Sequence, residues 1–377
     1  MNSRWDIFCR VVDNYGDIGV TWRLARQLVA EHGLAVRLWV DDIDAFARLC
    51  PAADATATRQ WRQGVEVCQW LDPWQPVAAA DVVIEAFACE LPADYLVAMR
   101  GRTPPLWLNL EYLSAEPWVE GCHGLPSLQS QGLQKFFFFP GFSDATGGLL
   151  RERSLLERRQ AVQADDAARA SLFRELGVQW SPAQRVISLF AYENSALASW
   201  LACLAAEATP TLLLVPQGRI LGDLRQALGS GALESGVPFM IGHLQVEVLP
   251  FLEQDHYDRL LWCCDFNAVR GEDSFLRALW SGRPLLWQIY PQQEDAHWDK
   301  LEAFLARYLE GLPSAAAQPI KALWQAWNAG AAMGPAWTAF SEQWPRWQAH
   351  AQGWAQRQAV QADLATQLLD FYRHWSA

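Results

Sequence analysis

Near the start of the chain, VVDNYGDIGVTWRLA (residues 11–25) holds two carboxylates four residues apart, Asp13 and Asp17, with Tyr15 and Gly16 between them. The stretch reads as a glycine turn from a strand into a helix, a geometry that ordinarily cradles a phosphate on helix N–H groups. The turn has no lysine or arginine, and two negative charges repel an anion. A conventional dinucleotide site is not indicated either, since only G-x-x-G is present where G-x-G-x-x-G is required. The purely local alternative makes Asp13 a turn cap and Asp17 the N-cap of a helix starting at Ile18.

A second cluster lies in RGEDSFLRALWSGRPLLWQIYP (residues 270–291). Arg270 and Gly271 end a strand, and Glu272, Asp273 and Ser274 open a helix whose apolar face is Phe275, Leu276, Leu279 and Trp280. An acidic and hydroxylic first turn suits a helix N-terminus on capping and dipole grounds alone. Phe190 and Tyr192 close RVISLFAYEN, and Phe251 stands three residues before Gln254 in LPFLEQDHYD. Asp42-Ile43-Asp44 matches D-x-D, a metal–diphosphate pattern, but it opens a helical stretch and reads as a cap with a first-turn acid. The seven histidines are scattered without ligand spacing, so no metal is expected.

These residues need elements to position them. Short apolar runs alternate with helical pattern: strands are predicted at 6–12, 35–40, 65–70, 81–87, 106–112 and 135–141, and again at 185–192, 211–216, 237–244, 263–270 and 284–290. Gly33 closes the first helix. Such alternation predicts an α/β fold of βαβ units with parallel sheets covered on both faces. The charged, alanine-rich stretch from 151 to 182 marks a boundary. The expected organisation is residues 1–175 as one Rossmann-like domain, 183–345 as a second, and 346–377 as a helical tail. In open parallel sheets ligands lie beyond the carboxyl ends of the strands, where both clusters fall.

The 377 residues are 51% hydrophobic and 19% charged, with a formal net charge of −12. That composition supports a large core and argues against nucleic acid or an anionic membrane as partner. No apolar run approaches the roughly 20 residues of a membrane span, and the N-terminus has no secretory pattern. The eight cysteines lack C-x-x-C spacing and read as reduced core residues of a cytoplasmic protein. Seven of the 21 tryptophans follow residue 320 at helical spacing, which predicts aromatic packing of terminal helices.

The strand–GEDS–helix–GRPL–strand segment resembles the donor half of GT-B glycosyltransferases, which have two doubly wound Rossmann-like domains facing a cleft. In that likeness Glu272 bonds sugar or ribose hydroxyls. The helix N-terminus, Ser274 and Arg270 face a pyrophosphate, and the Tyr290-Pro291-Gln292-Gln293 turn lines the pocket. Phe251 offers a pyrimidine base a flat face and Gln254 an amide. FCRVVDNYGDIGVTWRLARQL together with LPFLEQDHYDRLLWCCDFNAVRGEDSFLRALW further resembles the EarP family of bacterial protein-arginine rhamnosyltransferases, which modify elongation factor P. The likeness runs the length of the chain.

This resemblance implies transfer of rhamnose from TDP-β-L-rhamnose, with inversion and without a cofactor, to an arginine nitrogen of elongation factor P. It places the functional carboxylates on Asp13, Asp17 and Glu272. The donor pocket falls on Phe190, Tyr192, Phe251, Gln254, Arg270, Gly271, Asp273, Ser274 and Tyr290, and the acceptor side on Asp13, Tyr15, Gly16 and Asp17. It also accounts for the acidic turn. A guanidinium has a pKa above about 12, so it is a cation that carboxylates can orient. Asp17, starting the helix, is the expected base, and Asp13, at the strand end, holds the acceptor or fixes the loop. On the residues alone two other readings remain: a nucleotide-sugar epimerase of the same build, and a non-enzymatic binder of elongation factor P.

Overall fold

A computed structural model describes residues 3–12, 15–101, 103–129, 132–229, 233–291 and 295–376. The chain forms two compact units, Met1–Arg153 with Ala359–Ala377, and Ser154–Gln358.

In the first unit the hydrophobic runs become β1 (Arg4–Cys9), β2 (Ala35–Val40), β4 (Val65–Gln69), β5 (Val82–Ala86), β6 (Leu106–Leu110) and β8 (Gln134–Phe138). With β3 (Arg59–Arg62) and β7 (Pro126–Leu128) they make an eight-stranded sheet in the order β3-β4-β2-β1-β5-β6-β8-β7. The six predicted strands are parallel, while the two short unpredicted ones are antiparallel edges. Pairing of β1 with β2 sets Asp6 opposite Arg37 and Phe8 opposite Trp39. On that face Phe8, Trp39, Cys68, Tyr95 and Trp107 share one apolar cluster. The helix α1 (Gly16–His32) follows β1 and ends at Gly33, as its sequence predicts.

In the second unit β9 (Arg185–Leu189), β10 (Thr211–Pro216), β11 (Phe239–Ile241), β12 (Leu244–Leu249), β13 (Phe266–Arg270) and β14 (Leu285–Gln288) form a sheet in the order β11-β12-β10-β9-β13-β14. Here one expectation is corrected. The strand predicted at 237–244 is a three-residue antiparallel edge and a turn, and the parallel strand beside β10 is LQVEVL. Its Gln245 and Glu247 are buried yet paired, through Gln184, the Gln179 backbone and each other. Polar residues satisfied in this way hide a buried strand from a hydrophobicity pattern.

The units also divide elsewhere than the composition suggested. α5 (Leu155–Gln163) and α6 (Asp166–Glu175) belong to the second unit. Arg159 donates to the Trp280 carbonyl, Gln163 to those of Trp262 and Ser281, and Arg169 pairs with Asp265. The terminal helices are no separate tail. α14 (Trp344–Gln358) stays in the second unit. α15 (Leu364–Ser376) packs on the first, where Tyr372 meets Trp5 edge-on at 5.7 Å and Asp363 accepts from Gln27. Five of the seven late tryptophans are core, and Trp200 touches two of them, Trp327 and Trp337, with centroids 5.4 and 5.3 Å away, while Trp344 is half-buried and Trp375 exposed. All eight cysteines are free thiols. Among the described residues no helix is long and apolar enough to cross a membrane.

Candidate functional site

Asp13 lies outside the described residues. Beyond the carboxyl end of β1, Tyr15 precedes α1 without capping it, and its hydroxyl accepts from Arg48 at 2.7 Å. Gly16 is the first helical residue, so Asp17 sits inside the first turn and is not the N-cap of a helix from Ile18. Its carboxylate is 2% exposed and turns back toward the loop. Oδ2 accepts from the Val12 N–H at 2.8 Å and Oδ1 from the Tyr112 hydroxyl at 3.1 Å.

Tyr112 follows β6, and its ring stacks on Phe87 with centroids 4.4 Å apart. Phe87 and Ala88 hold φ of 57° and 56°, a region that non-glycine residues occupy at a cost. The Ala88 N–H donates to Asn109 Oδ1, and the Val11 N–H to Asp41 Oδ1. Loops after four strands, β1, β2, β5 and β6, thus fix one buried anion. Asp42 caps α2 (Ile43–Leu49) through the Ala45 N–H, the capping role its sequence suggested.

At the carboxyl end of the second sheet, Arg270 ends β13 and is itself buried. Its guanidinium carbon lies 4.7 Å from the Phe190 ring centroid and 4.5 Å from that of Tyr192. Gly271 has φ of 60°, which spares any side chain the left-handed strain, and its carbonyl accepts from Trp287 Nε1 at 2.7 Å. Glu272 precedes α10 (Asp273–Ser281) as a half-buried residue whose side chain makes no capping bond. Ser274 donates to the Arg270 carbonyl.

Gln254, the first residue of α9 (Gln254–Cys263), approaches Asp273 Oδ2 at 3.5 Å, and half-buried Phe251 stands in the loop before it. Tyr290 is 41% exposed and meets Tyr192 edge-on at 5.5 Å. Gln292 and Gln293 lie outside the described residues. The Tyr192 N–H donates to Gln288 Oε1. The structure therefore assembles Phe190, Tyr192, Arg270, Gly271, Ser274 and Tyr290 around one helix N-terminus, with Gln254 joined to it through Asp273.

Some neighbours of these sites escaped sequence reasoning. Phe87 and Tyr112 carry no motif and meet only through the strand order. Arg219, whose guanidinium lies 5.4 Å from the Tyr192 ring while pairing with Glu193, sits in the loop after β10. Its signal was available, because loops after parallel strands are where ligands bind.

Two parallel-dominated sheets, one with a cation and a helix N-terminus at its carboxyl edge, make up the GT-B fold. A UDP-glucosyltransferase from Polygonum tinctorium shares that fold with a TM-score of 0.53 at 10% identity, over 100% of this chain and 99% of its own. Within the class, residues 5–373 match the family described as Elongation-Factor P (EF-P) rhamnosyltransferase EarP, and the chain belongs to that family. It is 62% identical over 375 residues to a protein-arginine rhamnosyltransferase of Pseudomonas putida, covering 99% of this chain and 100% of that one. It is 47% identical, with a TM-score of 0.73 and 99% of both chains covered, to a solved structure whose subject is EarP-mediated arginine glycosylation of translation elongation factor EF-P.

Proposed function

We propose that the protein transfers L-rhamnose from TDP-β-L-rhamnose to a guanidinium nitrogen of one arginine of elongation factor P. The transfer inverts the anomeric centre and activates the factor for translation of proline-rich stretches. The observation that carries this reading is the buried Arg270, stacked on Phe190 and Tyr192 beside the N-terminus of α10. A cation and a helix dipole together stabilise a departing diphosphate, which leaves no need for a metal or a general acid.

In the second unit Phe251 and Gln254 hold the base. Glu272 and Asp273 bond sugar and ribose hydroxyls, and Gly271, Ser274 and Tyr290 complete the pocket. In the first unit Asp13 clamps the acceptor cation, with Tyr15 and Gly16 beside it. The guanidinium nitrogen attacks the anomeric carbon as the bond to the diphosphate oxygen breaks, and TDP departs. The proton on that nitrogen passes to Asp17. A carboxylate cannot remove it beforehand, because the two pKa values differ by roughly 8 units. Proton loss therefore accompanies or follows attack, when the substituted guanidinium is more acidic, and geometry governs the rate. The Val12 N–H and the Tyr112 hydroxyl orient its carboxylate. A translation factor as acceptor places the reaction in the cytoplasm.

The test is to incubate the protein with TDP-β-L-rhamnose and elongation factor P, then weigh the factor and locate the change by fragmentation. One deoxyhexose on an arginine is expected. An altered free sugar nucleotide with unmodified factor indicates epimerisation instead, and a complex without mass change indicates binding alone.

A further inference from the structure

Tyr257 lies one turn into α9 and is 8% exposed. Its ring packs edge-on against Phe190, 5.6 Å between centroids, on the ring over which Arg270 lies. Its hydroxyl is shut off from solvent and, among the described residues, finds no partner at full hydrogen-bond geometry, although the Ser274 hydroxyl is near enough to act on it as one. A buried hydroxyl held short of a well-formed bond costs stability, so a chain retaining one at a ligand site has a use for it. The charges acting on it are Asp273, Arg270 and Asp258, the first two at the mouth of α10 beside Ser274. Burial and the Asp273 charge push its titration up, so it remains a protonated donor.

Ser274 Oγ spends its own hydrogen on the Arg270 carbonyl, four residues back. A hydroxyl that donates can also accept. We propose that Tyr257 is a positioning residue that acts through Ser274. When a diphosphate occupies the helix N-terminus, Ser274 turns its hydrogen from the Arg270 carbonyl to a phosphate oxygen, and the Tyr257 hydroxyl donates to Ser274 Oγ. The chain of two hydrogen bonds polarises the serine toward the anion. No proton leaves the tyrosine. This inference rests on the donor-site reading proposed above.

The experiment measures TDP binding by calorimetry to the full-length wild type, Tyr257→Phe, Ser274→Ala and the double variant, together with melting temperature and the kcat and KM for TDP-rhamnose. Wild type binds TDP, Tyr257→Phe weakens it about fivefold, as one hydrogen bond allows, and donor KM rises more than kcat falls. In the Ser274→Ala background the same change has no further effect on binding. Equal losses in both backgrounds overturn the relay. So does a Tyr257→Phe protein that melts higher but binds TDP like wild type, since the hydroxyl is then only a buried defect. If wild type fails to bind TDP, the donor-site reading falls and this inference with it.

Discussion

Asp17 accepts one hydrogen bond from nearby, the Val12 N–H, and one from far along the first unit's sequence, the Tyr112 hydroxyl. Asp17→Asn keeps the shape while removing charge and basicity. Transfer should fall by about 10²-fold or more, with TDP affinity unchanged; lost TDP affinity would show that this turn does not serve the acceptor. Glu272→Ala should do the reverse and weaken the donor, and full activity at normal donor affinity would remove Glu272 from its role. Tyr112→Phe deletes one hydrogen bond to a carboxylate, so kcat/KM for the protein acceptor should drop about tenfold. An unchanged kcat/KM would mean that the Tyr112 hydroxyl does not orient Asp17.

At the scale of elements, α9 and α10 are joined by an ion pair with both side chains 2% exposed, Arg277 to Asp258 at 3.0 and 2.6 Å. The same two helices carry Gln254 and Ser274 at their beginnings. Arg277→Leu leaves the Asp258 charge buried without its bidentate partner and should cost about 3–5 kcal/mol in urea unfolding. Adding Asp258→Leu should restore most of that loss. A single variant as stable as wild type would show that water reaches Asp258. The helix itself was readable, from its acidic and hydroxylic start, its apolar stripe and Gly282 after it. The ion-pair partner was not, because Asp258 and Arg277 are nineteen residues apart and each looks like a surface residue on its own.

Across the whole molecule, two half-buried imidazoles, one in each unit, have their charged form disfavoured. His123 in the first accepts from the Phe139 N–H through Nδ1, and His350 in the second bonds the Tyr308 carbonyl through Nε2. Burial lowers the pKa of both. Below about pH 6.5 an unfolded chain protonates these side chains while the folded one does not. The unfolded state then binds more protons, so stability falls as pH falls, until the folded pKa values are passed. The melting temperature should therefore decline from pH 7 toward pH 6 at constant ionic strength. A flat or rising profile there would contradict the burial of both rings. Glu85, whose pKa burial raises, acts with the opposite sign across the carboxylate range.

Local chemistry in the sequence was enough to establish the alternation of strands and helices, the glycine stops, the aromatic filling of the late helices and the two clusters of chemically suited residues. Each depends on neighbours within one or two turns of chain. Tertiary structure decided where the compact units part, since α5 and α6 choose their unit by hydrogen bonds to residues about a hundred positions away. It decided that LQVEVL is a strand, because its polar side chains find partners only after folding. It decided that Tyr112, Val12 and Asp17 meet, and that Tyr257 lies under the ring that supports Arg270. Hydrogen bonds and burial link residues by distance in space, and the order of strands in a sheet converts sequence separation into contact.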